Sequence, residues 1–430
     1  MKDCRQRFGR LAVIGMLALC GYFGASCTGL RPAGPTAPGS LDATAGLERL
    51  GNPAAARYPA GAAVYARNAW TLRASGGRLV IGSGNSSNGG PAPNAGPAPL
   101  FEFDPEKGTF RMVFAVDDEQ IDGIRLLGGR LHIPGHDPRE SWALGNFYRL
   151  EEDGRWGKHR TIPGGIHTYD MAASGGRLFA ALGTAKGAAV AVSADSGATW
   201  TNRVVGNFRL YTLFESDRVL YAAGPLPGAS RLAFYRDRNL AAPVGVFQHD
   251  GNGGFLPRPD LDAARMFPGI PLNPEKDSKL ARAVAFRESA AYIGGYCHND
   301  HQIMPFGAFV ADSLDGGRVS VRPIPLAGGR PWDLLEEDGV LYVLADTPDS
   351  AGTTVRVWAG PDGLHWNELF HFRAATFARS FALLDGDFYF GLGCEVADPQ
   401  AWKAEELPPE TGAILRLRKE VWSGGKQRQP

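Results

Sequence analysis

The chain has 430 residues, with 45 lysines and arginines balanced by 45 aspartates and glutamates. Zero formal net charge excludes the basic footprint of a nucleic-acid-binding protein and any polybasic membrane patch in the bulk of the chain. The 57 glycines and 31 prolines fall mostly in turns between alternating apolar runs, which suits a turn-rich all-β protein. No phosphate loop, Ser-His-Asp signature or dinucleotide fingerprint is present, and no cofactor is expected.

In chain order, Lys2, Arg5, Arg7 and Arg10 precede an apolar stretch, Leu11 to Phe23, which is too short for a permanent membrane span. Gly24-Ala25-Ser26-Cys27 follows. This segment resembles the bacterial lipoprotein signal. The resemblance implies that Cys27 is lipidated, becomes the new N-terminus and anchors the protein at the outer membrane or cell surface. An ordinary secretory signal cleaved nearby is the alternative, and both imply export. Residues 28–56, rich in Pro, Ala and Gly, read as a flexible tether. Residues 57–424 carry the fold, and 425–430 read as a disordered tail.

Within 57–424 one stretch recurs seven times: a tight polar turn leading into a short alternating strand. The clearest copies are Ala74-Ser-Gly-Gly-Arg-Leu79, Leu127-Gly-Gly-Arg-Leu131 and Ala173-Ser-Gly-Gly-Arg-Leu178. The strand after each turn is marked by Leu79, Leu131, Leu178, Leu220, Ala291, Leu341 and Phe388. Successive markers lie 42 to 52 residues apart, except for one step of 71 that carries an insertion within 225–282. Each period holds four strands, with a second Asp- or Gly-rich hairpin between the third and fourth. The repeat predicts an all-β, seven-bladed β-propeller of four-stranded antiparallel blades, a closed ring that leaves few edges. The last repeat is short after Trp422, so Ala62–Ala66 is expected to supply its outer strand.

Ser193-Ala-Asp195-Ser-Gly197-Ala-Thr199-Trp200 fits the pattern Ser-x-Asp-x-Gly-x-Thr-Trp at every fixed position. It resembles the Asp-box (BNR) repeat of sialidase-like β-propellers, in which the box is structural and lies away from the catalytic face. The expected physics is an aspartate accepting bonds across the turn, a left-handed glycine and a tryptophan packed between blades.

Counting back from the repeated leucines, one polar position per blade begins the first, innermost strand. These positions are Asn68, Gln120, His167, Arg209, Arg282, Arg330 and Arg379. They are expected to ring the mouth of the central channel, where guanidinium groups could clamp carboxylate, sulfate or phosphate oxygens. The equal alternative is that the arginines pair with Asp122, Asp170 and Asp333 and line a polar tunnel.

The loops on that face add Trp142, a candidate to stack on a sugar ring. Asp137, Glu140, Asp170, Tyr169 and Tyr211 are the weak candidates for catalysis. The Phe/Tyr-Arg-Ile-Pro motif of sialidases is missing, so that activity is not carried over from the resemblance. After processing, Cys297 and Cys394 remain as a disulfide candidate; a metal site with His298 and His301 is a weaker alternative, and no metal is expected.

The sequence therefore points to an exported, monomeric, membrane-anchored propeller. It is expected to bind an anionic ligand, such as an acidic glycan, at the channel mouth. A glycan-active hydrolase or lyase, and a protein-interaction scaffold, are the alternatives; an enzyme is the less favoured.

Overall fold

The computed structural model describes residues 40–86, 94–238, 245–297, 303–315, 317–350, 352–396 and 403–424. Two short strands, β1 (Leu41–Asp42) and β2 (Leu47–Gly51), precede the repeats. Blade one holds β3 (Thr71–Ser75), β4 (Arg78–Gly82), β5 (Ala98–Asp104) and β6 (Thr109–Val116). Blade two holds β7 (Arg125–Leu127), β8 (Arg130–Pro134), β9 (Leu144–Leu150) and β10 (Trp156–Pro163). Blade three is β11 (His167–Ser174), β12 (Arg177–Thr184), β13 (Gly187–Ser193) and β14 (Thr201–Gly206). Blade four is β15 (Thr212–Ser216), β16 (Val219–Ala223), β17 (Val246–His249) and β18 (Phe255–Pro257). Blade five is β19 (Ser278–Phe286), β20 (Ser289–Cys297), β21 (Ile303–Ser313) and β22 (Ser320–Pro323). Blade six is β23 (Arg330–Glu337), β24 (Val340–Asp349), β25 (Gly352–Gly360) and β26 (Asn367–Ala374). Blade seven begins with β27 (Ala378–Leu384), β28 (Asp387–Leu392) and β29 (Ile414–Leu417). The seven-bladed β-propeller expected from the repeat is the architecture observed.

The repeated turn does one job in every blade. Gly76-Gly77, Gly128-Gly129 and Gly175-Gly176 all have positive φ, as a two-residue hairpin that follows the strand twist requires. Asp217-Arg218, Asp338-Gly339 and Asp385-Gly386 adopt the same left-handed pair with less permissive residues. Tertiary packing thus holds the turn where the sequence pattern fades.

Apolar residues of the alternating strands collect between the blades. One buried cluster joins blades one and two through Leu100, Ile121 and Tyr148. Others join two and three through Phe147, Met171 and Trp200, and three and four through Phe179, Leu213 and Phe247. Blades four and five meet at Phe214, Tyr292 and Phe309, with Met266 and Phe267 of the insertion packed in. The remaining junctions centre on Val310 and Val343, Phe370 and Phe388, and Leu79 and Tyr389. Each blade therefore depends on its two neighbours, and the ring is a chain of such interfaces that must close.

Closure differs from the expectation. Ala62–Ala66 lies in a 3₁₀ helix, Gly61–Arg67, and not in a strand. The outer strand of blade seven is β2, antiparallel to β29, with Leu47 opposite Leu417 and Arg49 opposite Leu415. One turn earlier, β1 runs parallel to β26 of blade six. Residues 40–56, assigned to the tether, are therefore part of the propeller. Leu41 and Leu47 pack on the core between blades six and seven, and the Glu48 carboxylate accepts from both Arg416 and Arg418. The signal segment with Cys27, residues 28–39 of the tether and the 425–430 tail lie outside the described residues.

The Ser193–Trp200 hairpin makes the hydrogen bonds expected from its residue pattern. The Thr199 N–H and hydroxyl donate to the Asp195 carboxylate at 2.9 and 2.6 Å, and the Gly197 N–H donates to Ser193 Oγ at 2.8 Å. Hydrogen bonds from Thr199, followed by the one from Ser193, hold the Asp195 carboxyl down at about 2. Gly197 has φ +89, and a Cβ there would sit 2.4 Å from Phe147 of blade two. Trp200 packs edge-on against the same Phe147. The hairpin is a blade-to-blade fastener.

Candidate functional site

The inner strands of all seven blades line one central cavity of about 170 Å³. That is less than the ~300 Å³ at which pockets for drug-sized ligands begin. The space suits a small ion or one functional group of a larger molecule.

Bulges aim the lining side chains. In blades three, six and seven the strand register skips Tyr169, Trp332 and Arg379. In blade five it skips Arg282 and Ala283, with Arg282 at φ +52. Such bulges re-aim side chains at sheet edges and sites. Next to them, a polar residue fastens each of several blades to the following one. The Leu213 N–H donates to Asp170 at 2.9 Å and the Phe381 N–H to Asp333 at 3.2 Å. The Thr212 hydroxyl donates to Leu280 O at 2.8 Å, and that of Ser380 to Ala69 O at 2.6 Å.

The seven positions expected at the mouth do not form a common ring of ligand donors; only Arg282 and Arg379 line the cavity. Asn68 and Gln120 are buried at 0% and 3% exposure. Asn68 bonds to Tyr65 O and accepts from Arg379 Nε at 2.8 Å; Gln120 Oε1 accepts from the Ser86 N–H. Arg330 forms a bidentate pair with Asp346 at 3.0 and 2.6 Å. Arg282 donates to the carbonyls of Asp122 and Trp70 and lies 3.9 Å from Asp333. Arg379 donates to Glu395 at 2.6 Å and to Cys394 O at 2.8 Å. Its guanidinium carbon lies 4.1, 5.1 and 5.3 Å from the ring centres of Trp70, Phe377 and Trp332. Of the pairings with Asp122, Asp170 and Asp333 offered as the alternative, only that of Arg282 with Asp333 is made; Arg330 and Arg379 pair with Asp346 and Glu395. Arg209 donates to the Tyr169 hydroxyl at 2.8 Å, and His167 is held down at about 3 by burial and then by Arg209.

The catalytic candidates separate. Tyr169, Asp170 and Tyr211 line the cavity, whereas Asp137 and Glu140 do not. Asp170 is gripped through both oxygens by Arg125 at 2.8 Å each. Glu140 pairs with Lys158 and Arg160 at 2.7 and 2.8 Å, and Asp137 lies 3.6 Å from His167. Trp142 is 52% exposed outside the cavity. Sequence reasoning missed Glu119, whose carboxyl burial and then Asp137 push up to about 7.

No disulfide joins Cys297 and Cys394. Cys297 ends a strand of blade five, whereas Cys394 is packed beside Tyr65, Trp70 and Leu407 at the seam of blades seven and one. The Asn68 amide donates to Cys394 Sγ at 3.4 Å, and burial pushes the thiol up to about 11. No metal-holding cluster occurs among the described residues; His298 and His301 lie outside them.

Three cavity-lining cations escaped the sequence reading: Arg73, Arg125 and Lys279. Arg73 and Arg125 stand five residues beyond Asn68 and Gln120, where the inner strand faces the channel again. Lys279 is only 3% exposed, with its Nζ 4.5 Å from the Tyr211 ring centre. The lining thus carries five cations, with Arg282 and Arg379, against the three carboxylates Asp122, Asp170 and Asp333. Buried His136 sits 3.2 Å from Asp122; burial alone would lower its pKa, but Asp122 and then Asp137 raise it.

Asp333 supplies a pH test. Burial pushes its carboxyl up from 3.8 to about 6, against the pull of Arg282. The folded state binds this proton more tightly than the unfolded chain, so its contribution is full below the unfolded pKa and is lost as pH rises through about 6. Asp333→Asn should therefore lose less stability than wild type between about pH 4 and about pH 6 in paired thermal melts. Parallel curves for the two proteins would refute that assignment.

No family model and no curated protein matches the chain. Among solved structures it is similar to the extracellular domain of a one-component system from B. thetaiotaomicron, at 13% identity and TM-score 0.44. That match covers 75% of this chain and 37% of the other, so the chain spans little more than a third of that protein. A protein from Lactobacillus plantarum is similar at 11% identity and TM-score 0.46, over 72% and 86% of the two chains. The β-propeller domain of the Trilobed protease from Pyrococcus furiosus follows at 8% identity and TM-score 0.39, over 74% and 87%. At these values none of them informs activity.

Proposed function

We propose that this chain is an exported, membrane-anchored propeller lipoprotein that binds a small anionic ligand, the acidic group of a glycan, in its central channel. The observation that carries the reading is the excess of cations over carboxylates in a cavity shared by all seven blades. The leader-like segment ending at Cys27 supports export and anchoring. Binding is favoured over catalysis because Asp170 is already committed to Arg125, and the Tyr169 hydroxyl accepts from Arg209.

The test is calorimetric titration of the detergent-solubilised full chain with glucuronate and, in parallel, glucose. Glucuronate should bind, more weakly as salt rises, and glucose should not. Equal responses to the two sugars, or none to either, would remove the anionic reading.

A further inference from the structure

Among the five cavity-lining cations, Arg73 stands apart. Arg125 holds Asp170 through both oxygens, and Arg282 and Arg379 donate to named carbonyls and side chains. Among the described residues no hydrogen-bond or ion-pair partner reaches the half-buried Arg73 side chain, and its Nε is sealed from solvent without an acceptor. A buried donor left unmade is costly. A group entering the channel can complete it.

The surroundings define what that is. Arg73 lies midway along β3, two residues beyond Thr71, toward the end of the channel at which Gly76-Gly77 turns. Arg125 faces it with like charge, whereas Asp333, Glu336 and Glu337 attract it electrostatically without forming a contact. Arg125 is already paired with Asp170, whereas among the described residues no carboxylate is in contact with Arg73. A planar guanidinium pairs best with a planar carboxylate through two parallel bonds. A dianion would meet the nearby acidic side chains.

We infer that Arg73 anchors a carboxylate-binding subsite inside the channel, set deeper than the mouth positions and taking a single small carboxylate group. This rests on the anionic reading above and names the residue that would hold the ligand.

The experiment compares thermal melts of full-length wild type, Arg73→Met, Arg73→Lys and Lys186→Met, an exposed lysine outside the cavity, in acetate and in chloride at equal ionic strength. Acetate should raise the melting temperature of wild type and of Lys186→Met. Arg73→Met should melt higher than wild type in chloride, because an unsatisfied buried donor is gone, and its acetate response should fall at least tenfold in apparent affinity. Arg73→Lys should keep a weakened response. An unchanged acetate response in Arg73→Met, with wild type also responding, overturns the subsite and leaves the anionic reading standing. If acetate stabilises neither wild type nor any variant, the anionic reading fails and the subsite with it.

Discussion

A chain beginning at residue 57 should be less stable than one beginning at residue 40 by on the order of 5 kcal/mol, from two leucine side chains and a strand of hydrogen bonds. Deleting Leu47–Gly51 strips the outer strand from blade seven and uncovers β29, whose Ile414 and Leu417 are fully buried. It also removes Glu48 from Arg416 and Arg418, and Leu41 and Leu47 from the core shared with blade six. Without β2 the outer edge of blade seven moves inward to β29 and leaves its backbone groups unpaired. Urea denaturation of the two chains provides the comparison. Equal midpoints would mean that the N-terminal strand does not close the ring.

Replacing Asp170 by alanine should cost about 3–5 kcal/mol, the usual loss when one partner of a buried ion pair is removed. The aspartate side chain is 6% exposed and the arginine 28%. Besides holding Arg125, Asp170 accepts the N–H groups of Met171 and of Leu213 in the next blade. The double variant Arg125→Met with Asp170→Asn should recover part of the loss, because no charge is then stranded. Denaturation curves decide between the roles. Wild-type stability in Asp170→Ala, with ligand turnover abolished, would make Asp170 a catalytic residue instead of a fastener.

The repeated Ser-Gly-Gly-Arg-Leu stretch made the blades legible because a two-residue left-handed turn has few sequence solutions. The Ser193–Trp200 turn was legible for the same reason: a short polar turn fixes its residue types locally. The closing strand was not, since Leu47-Glu-Arg-Leu-Gly51 carries only two apolar residues and follows a Pro- and Ala-rich segment. Its partner is more than 360 residues away in sequence. The site was half legible. Counting back from the repeated leucines located the starts of the first strands, but such a count does not say which residues face the channel. Bulges at Tyr169, Trp332 and Arg379 shift the channel-facing phase by one residue, which no local pattern announces. Arg330 is committed to Asp346, whereas Arg73 and Arg125, in inner strands of blades one and two without a bulge, lie five residues past the counted positions and face the cavity. The Cys297–Cys394 pairing failed for a related reason: counting cysteines does not say which blades they occupy.

The most direct measurement of the central claim is a crystal structure of the protein equilibrated with acetate, refined far enough to separate acetate from water. The cation excess in the channel predicts a carboxylate bound against its lining cations. Ordered water alone along the whole channel, with every guanidinium solvated, would contradict it.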